Sequence, residues 1–404
     1  MQQFPQLDFD QFHREELPAR LASGNAVVAV ADLSNNTGPI AFRLSGRDGT
    51  YRYCIEDGVV IVREGDDGAE ALIELAPQAW QDLVYELRSA FGLLYAGELK
   101  FLRGSFDHLE RWWPAMRAMF SGRPIYDEAT LELHDLDGGD LDLRRSFSLA
   151  DDPAEVRHFL RTAGYLHLRS VYSPEEVSAF AAEVDRLSEV ATPGDGHSWW
   201  ANDATGRQVL CRLTYANQLS VALADIHEDE RPRRIAALSG EELLCSPDRM
   251  EGHSVIMKIP QAVDGLADLP WHVDCGLGGH SIMCPALLIG IQLDDANADS
   301  GRLHVRAGSW GASCHMRLLE GEPGRLEVPL DTRAGDCTVH FADVLHAAPP
   351  PTANVPGRRT LYINYFSPGL FDFVGPGEAY NDVLGRRDDG VARSVDEVLG
   401  RQQE

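Results

Sequence analysis

Residues 270–280 read PWHVDCGLGGH, which sets His272 and Asp274 two positions apart, just ahead of a glycine-rich turn. At the end of a strand, residues two apart point to the same face. One imidazole and one carboxylate on that face would grip an ion from one side only, so a third ligand has to come from elsewhere in the chain. His346 is the candidate. It lies 72 residues after Asp274 in HFADVLHAAPPP (340–351), behind the apolar strand Cys337–Phe341 and ahead of a proline stop.

Two histidines and one carboxylate form the facial triad used by non-haem iron(II) oxygenases. They fill three adjacent positions and leave the others for a 2-oxo acid and dioxygen. An H-x-D pair alone is weak, because roughly one is expected by chance in an acidic chain with 14 histidines. Two competing arrangements occur here. His227-Glu228-Asp229 lies in the charged run IHEDERPRR, with no strand around it. His108-Leu109-Glu110 lies in an amphipathic helix pattern, where positions two apart do not face each other. Only the 272/274 pair combines a preceding strand with a strand-end histidine far downstream.

Farther along, GRRTLYINYF (357–366) offers a cation for the tail of the 2-oxo acid. A guanidinium fork suits a carboxylate. On a strand, Arg358 shares its face with Thr360, Tyr362 and Asn364, whereas Arg359 lies with Leu361 and Ile363. The polar face is the better wall for a wet site, which favours Arg358.

Several short apolar segments flank these motifs: HSVIMKI, LLIGIQL, RLHV, CTVHF and TLYINYF, separated by Gly, Pro and Asp. This pattern predicts a β-sandwich or jelly roll. Upstream, Asp152-Pro153 starts a helix that Gly164 ends. Tyr165–Arg169 reads as a short strand. Ser173, Pro174 and Glu176 open a second helix through a capping box, with Val177, Phe180, Val184 and Leu187 as its buried stripe. Trp199 and Trp200 are candidates for a substrate pocket or for the core. The domain is taken as 146–404. Before it, DEATLELHDLDGGDLDL lies in an acidic stretch, 126–145, that reads as a solvated linker.

Residues 1–125 read as a small α+β domain. Tyr51, Tyr53 and Ile55 alternate with polar residues, Asp57-Gly58 turns the chain, and Val59–Val62 returns as a hairpin partner. Leu72–Leu75 is a further strand. Trp80, Leu83, Val84, Leu87 and Phe91 recur at helical spacing, as do Leu109, Trp112, Trp113, Met116, Met119 and Phe120.

Bulk composition narrows the function classes. The 404 residues hold 36 basic and 63 acidic side chains, a formal charge of −27. Such a surface repels nucleic acid and anionic membranes. The seven cysteines, Cys54, Cys211, Cys245, Cys275, Cys284, Cys314 and Cys337, are scattered without a C-x-x-C pair, as expected of reduced thiols. No signal peptide or membrane span is read, so a cytoplasmic location is expected.

Two resemblances rest on these motifs. Residues from about 146 to 375 resemble the phytanoyl-CoA dioxygenase family. The matching pieces are FLRTAGYLHLRSVYSPEEVSAF, MKIP before WHVD, SGRLHVRAGSW, AGDCTVHFADVLHAAP and GRRTLYINYF. The resemblance implies a double-stranded β-helix with flanking helices, iron(II), 2-oxoglutarate and dioxygen. It implies His272, Asp274 and His346 as catalytic metal ligands, Arg358 as the 2-oxoglutarate anchor and Lys258 of MKIP as a second contact. The chain departs from the family at Val273, where glutamine is frequent, at the CGLGGH loop with His280, and at GSW, where Trp310 stands for histidine. These departures leave the ligands intact and detach substrate identity from the family name.

The N-terminal domain, with its stretch GELKFLRGSFDHLERWW, resembles the sterol-carrier-protein type. That implies a sheet and helices around an apolar tunnel that can hold a lipid-like molecule; the plainer reading is a scaffold or dimerisation domain whose aromatics fill their own core. Together the two resemblances imply hydroxylation of an aliphatic C–H in an apolar or carrier-bound small molecule. Asp274 keeps the carboxylate ligand in place, which favours hydroxylation over halogenation. The readings set against this are a lipid carrier with a catalytically inert barrel and a jelly-roll metalloenzyme of non-oxidative chemistry.

Overall fold

The structure is a computed structural model that describes residues 4–23, 37–260, 262, 269–276, 286–314, 324–352 and 357–372. His280 and Cys284 lie outside the described residues. The chain divides into two compact units. One takes Met1–Asp127, Cys275–Met283 and Gly311–Glu320; the other takes Glu128–Asp274, Cys284–Trp310 and Gly321–Glu404.

The first unit holds five strands: β1 (Ile40–Leu44), β2 (Thr50–Glu56), β3 (Val59–Glu64), β4 (Ala71–Leu75) and β5 (Lys100–Arg103). They form one sheet in the order β3-β2-β1-β4-β5, with β1 parallel to β4. The expected hairpin is β2–β3, turned by Asp57 and Gly58, both at positive φ. Aromatic rings fill the middle of this unit. Phe9 and Phe12 pack edge-on against Trp80, and Tyr53 touches Trp112 and Phe120.

One helical expectation needs correction. Trp80 to Phe91 is two helices, Pro77–Val84 and Ala90–Tyr95. Between them Glu86 sits at φ 55°, buried between Arg117 (2.6 Å) and Arg123 (3.0 Å). A buried carboxylate held by two guanidinium groups outweighs local periodicity, since leaving it unpaired is costly.

The second unit holds β6 (Tyr165–Leu168), β7 (Ser198–Asn202), β8 (Gln208–Leu213), β9 (Leu244–Cys245), β10 (Ser254–Lys258), β11 (Leu269–His272), β12 (Leu287–Gln292), β13 (Leu303–Arg306), β14 (Glu327–Leu330), β15 (Cys337–Phe341), β16 (His346–Ala348) and β17 (Arg358–Phe366). Among the described residues they make an eight-stranded sheet, β6-β15-β12-β17-β10-β8-β7 with β9 beside β17, and a four-stranded sheet, β11-β16-β13-β14. Every pairing in both sheets is antiparallel. Two such sheets are consistent with the expected jelly roll.

The helix Pro153–Ala163 is capped by Asp152 and ended by Gly164, and Pro174–Val190 begins with the Ser173/Glu176 capping box. The acidic stretch 126–145 is mostly exposed, yet it is tied down at its start. Glu128 pairs with Arg306 at 2.8 Å, and Arg325 donates to the carbonyls of Glu128 and Leu131.

The large sheet is split by the two-residue period of its strands. Val255, Met257, Ile289, Ile291, Val339, Phe341, Leu361 and Ile363 share one face. The helices Pro174–Val190 and Glu230–Ala237 lie on that side: Arg359 reaches Asp185 of the first at 2.5 Å, and the second packs against β12. The opposite face carries Lys258, Gln292, Thr338, His340, Arg358, Thr360, Tyr362 and Asn364, aligned by register across four strands. All eight are buried. Burying polar groups is costly unless they bond to one another. Here Arg358 Nη1 donates to Thr360 Oγ1 (2.6 Å), Thr360 Oγ1 to Gln292 Oε1 (3.1 Å), and Gln292 Nε2 to Thr338 Oγ1 (3.1 Å).

Candidate metal centre

His272 is the last residue of β11 and His346 the first of β16, and the two are cross-strand partners. Asp274 lies just past β11, where its backbone N–H donates to the Ala342 carbonyl at 2.8 Å. The ligand atoms of His272, Asp274 and His346 all lie within 4.8 Å of one another. Asp274 approaches His272 Nε2 at 3.8 Å and His346 Nε2 at 3.7 Å, and the imidazole centroids are 4.2 Å apart. Three side chains chosen from spacing alone thus converge in the fold.

The tautomers follow from the outer contacts. His272 Nδ1 is 2.6 Å from the Pro270 carbonyl, and His346 Nδ1 is 2.9 Å from the Val344 carbonyl. A carbonyl only accepts, so both Nδ1 atoms carry the proton and both Nε2 lone pairs point at the shared centre. This is the arrangement that orients metal-bound imidazoles. Burial holds His346 down at about 3 and lowers His272 as well, so both rings are neutral. Desolvation pushes Asp274 up, but its closeness to His346 and to the His340 N–H outweighs it and keeps the carboxyl below its usual range. Its Oδ2 is buried and lacks a hydrogen-bond partner. Two lone pairs and an orphaned carboxylate oxygen aimed at one point fit a divalent cation.

The support behind β11 is specific. The Arg306 guanidinium lies over the Trp271 ring at 4.6 Å and is held by Glu128 (2.8 Å) and Glu327 (3.2 Å). The residue next to His272 is thereby clamped.

Arg358 is buried, donates through Nε to the Gly301 carbonyl (2.8 Å), and has no carboxylate within ion-pair distance among the described residues. Arg359 is paired at 2.8 Å with Asp294 and at 2.5 Å with Asp185. Lys258 is buried too, and its ammonium donates to the Ala348 carbonyl. Trp199 packs in a core cluster with Ala201, Cys211 and Ala262, and Trp310 stacks on Phe341 at 4.5 Å.

One residue at the centre escaped the sequence reading. His340 on β15 places Nε2 3.5 Å from Asp274 Oδ2, and its ring centroid lies 4.5 Å from that of His346. It stands outside the set of mutually close ligand atoms. Both of its ring nitrogens are buried without hydrogen-bond partners. The signal was the alternation in CTVHF, where Thr338 and His340 are the polar members of an otherwise apolar strand.

Residues 160–359 match the family described as phytanoyl-CoA dioxygenase (PhyH). This stretch is a phytanoyl-CoA dioxygenase family domain. It contains Lys258, His272, Asp274, His340, His346 and Arg358. The phytanoyl-CoA dioxygenase domain makes the chain a 2-oxoglutarate-dependent oxygenase, with iron(II), 2-oxoglutarate and dioxygen as cofactor and co-substrates.

No curated protein matches the chain. Similar solved structures include AviO1 from Streptomyces viridochromogenes Tue57, at 23% identity over 54% of this chain and 96% of that one, TM-score 0.42. Another is EvdO2 from Micromonospora carbonacea var. aurantiaca complexed with 2-oxoglutarate, at 23% identity over 52% and 89%, TM-score 0.39. A third is EctD from S. alaskensis with 2-oxoglutarate and 5-hydroxyectoine, at 18% identity over 61% and 86%, TM-score 0.41.

Proposed function

We propose that His272, Asp274 and His346 hold iron(II), that Arg358 anchors the distal carboxylate of 2-oxoglutarate with Lys258 as a second contact, and that the enzyme hydroxylates an aliphatic C–H of an apolar or carrier-bound small molecule. The observation that carries this reading is the convergence of the three ligand atoms beside a buried polar face on which Arg358 has no carboxylate partner among the described residues.

The bound metal would supply the oxidising power, coupling decarboxylation of 2-oxoglutarate to succinate with transfer of an oxygen atom to substrate. The chain does the rest. The Pro270 and Val344 carbonyls hold the two imidazoles in the ligating tautomer. Three protein ligands would leave the remaining coordination positions open. Arg358 is presented by Gly301 and Thr360, so the guanidinium is oriented before its partner arrives. Such preorganisation lowers the cost of binding. The retained carboxylate of Asp274 supports hydroxylation over halide transfer.

The N-terminal unit fits the sterol-carrier resemblance in having one five-stranded sheet with helices. Its packed aromatics support the scaffold reading over a lipid tunnel.

Anaerobic titration with iron(II) and 2-oxoglutarate tests the centre. A visible metal-to-ligand charge-transfer band is expected, and it should vanish in His346→Ala. A wild-type protein that binds neither component defeats the proposal. Succinate release across a panel of aliphatic substrates then tests the hydroxylation.

A further inference from the structure

His227, dismissed above as half of a chance H-x-D pair, faces different partners in the fold. It sits in the 3-10 turn Ile226–Glu228. Cys245 ends β9 opposite Tyr365 of β17, and His253 immediately precedes β10. By register Tyr365 lies on the helix-covered face of the large sheet, and His253 alternates with Ser254, which pairs with Tyr362 on the polar face. This cluster is therefore on the side of the sheet opposite His340.

The ligand atoms of His227, Cys245 and His253 all lie within 4.8 Å of one another. His253 is fully buried, and its Nδ1–H donates to the Leu223 carbonyl at 2.8 Å. That leaves an Nε2 lone pair, and this atom is buried with no partner. His227 Nδ1 is also buried without a partner, while its Nε2 lies 3.3 Å from Glu228. The Ala224 carbonyl lies near enough to raise the His227 pKa but does not meet hydrogen-bond geometry with Nδ1. The rings meet edge-on, with centroids 5.1 Å apart. Cys245 is a free thiol.

Burial lowers both imidazoles, His253 to about 4, and together with Asp248 it pushes the Cys245 thiol up to about 12. The apo cluster is thus two neutral rings and one thiol, with a single S–H available for two ring nitrogens. Unsatisfied buried acceptors are costly. A cation coordinated by both nitrogens and the sulfur would remove that cost.

We propose that His227 Nδ1, His253 Nε2 and Cys245 Sγ form a second metal site, selective for a borderline-soft divalent ion of the zinc class. Two imidazoles and one thiolate suit that class, and a fourth position remains for water. Binding replaces the S–H bond with a sulfur–metal bond and releases one proton to solvent. The ion would fasten the turn, the two-residue strand β9 and the entry to β10 to one point. The site stands independently of the iron reading.

The test uses the full-length chain, stripped by chelator and titrated with Co2+ as a spectroscopic stand-in and then with Zn2+ by equilibrium dialysis. Expected are a near-ultraviolet thiolate-to-cobalt charge-transfer band that saturates, its displacement by Zn2+, and one proton released for each ion bound through Cys245. Cys245→Ser should abolish the band, and His253→Gln should weaken Zn2+ binding at this site at least tenfold. Circular dichroism checks that both variants are folded, and Cys211→Ser serves as a control that keeps the band. A folded wild type without the band, or a band that survives Cys245→Ser, overturns the assignment. Neither result touches the 2-oxoglutarate titration, which reads the other centre.

Discussion

Lys258 and Arg358 are direct cross-strand partners in β10 and β17, so two cations stand side by side in a buried interior. Like charges placed opposite each other destabilise a sheet. A dicarboxylate co-substrate bound beside the pair would offset that repulsion. Arg358→Met should weaken 2-oxoglutarate binding by about two orders of magnitude, in line with the roughly 2–5 kcal/mol lost when one partner of a buried charge pair is removed. Iron binding should survive. Arg359→Met should leave the affinity unchanged, because Asp294 and Asp185 already neutralise Arg359. Anaerobic titration of each variant decides it, and equal affinities for Arg358→Met and wild type would refute the anchor.

His340 reaches the orphaned Oδ2 of Asp274 from β15. An Nε2–H there would donate to the Asp274 carboxylate and steady it as a metal ligand. His340→Leu should weaken iron(II) binding by about 10- to 100-fold, the usual cost of losing an outer partner of a metal ligand. His340→Gln, which keeps a donor, should recover part of the loss. Anaerobic equilibrium dialysis measures both. Iron binding in His340→Leu as tight as in wild type would exclude this role.

Much of the centre was legible because its logic is one-dimensional. Strand spacing marked His272, Asp274 and His346, and face parity separated Arg358 from Arg359. The caps at Asp152, Gly164 and Ser173 are equally local. His340 was hidden because a lone histidine in an apolar strand reads as core until the partner strand is known. The break at Glu86 was hidden because it depends on Arg117 and Arg123, some 30 residues away along the chain. The helical segment 9–22 was missed altogether; Phe12–Glu16 within it is π-helical, off the usual period.

Gly164 is a point of mechanical weakness. It sits at φ 89°, and an added Cβ would lie 2.5 Å from Val344 Cγ2 and 2.9 Å from Trp310 Cδ1. Val344 also supplies the carbonyl that fixes the His346 tautomer. Gly164→Ala should cost about 2–4 kcal/mol, combining left-handed strain with overpacking. Thermal unfolding should shift down by several degrees, with a measurable drop in iron affinity. An unchanged melting curve contradicts the account.

In the N-terminal unit, His13 donates through Nδ1 to the Phe9 carbonyl (2.7 Å), and its Nε2 accepts from the Tyr53 hydroxyl (2.8 Å). Burial lowers its pKa from 6.5 to about 4. The unfolded chain therefore binds a proton that the folded one refuses between those values. Stability from this group is present above pH 6.5 and is lost as pH falls toward 4, amounting to about 3 kcal/mol. Wild type should be more stable than His13→Gln at pH 7, and the gap should close by pH 4. A gap that stays constant across that range in thermal melts would rule the linkage out.

The two-faced large sheet has a consequence for how such a domain tolerates change. Along β17 the even-numbered residues carry the buried polar groups and the odd-numbered ones the adhesion to the helices, interleaved like two messages on one tape. Deleting Arg359 would transpose both messages for the rest of the strand, sending Leu361 and Ile363 toward the polar face and Thr360 and Tyr362 under the helices. Exchange of one side chain retunes the domain; a one-residue gap in that strand erases it.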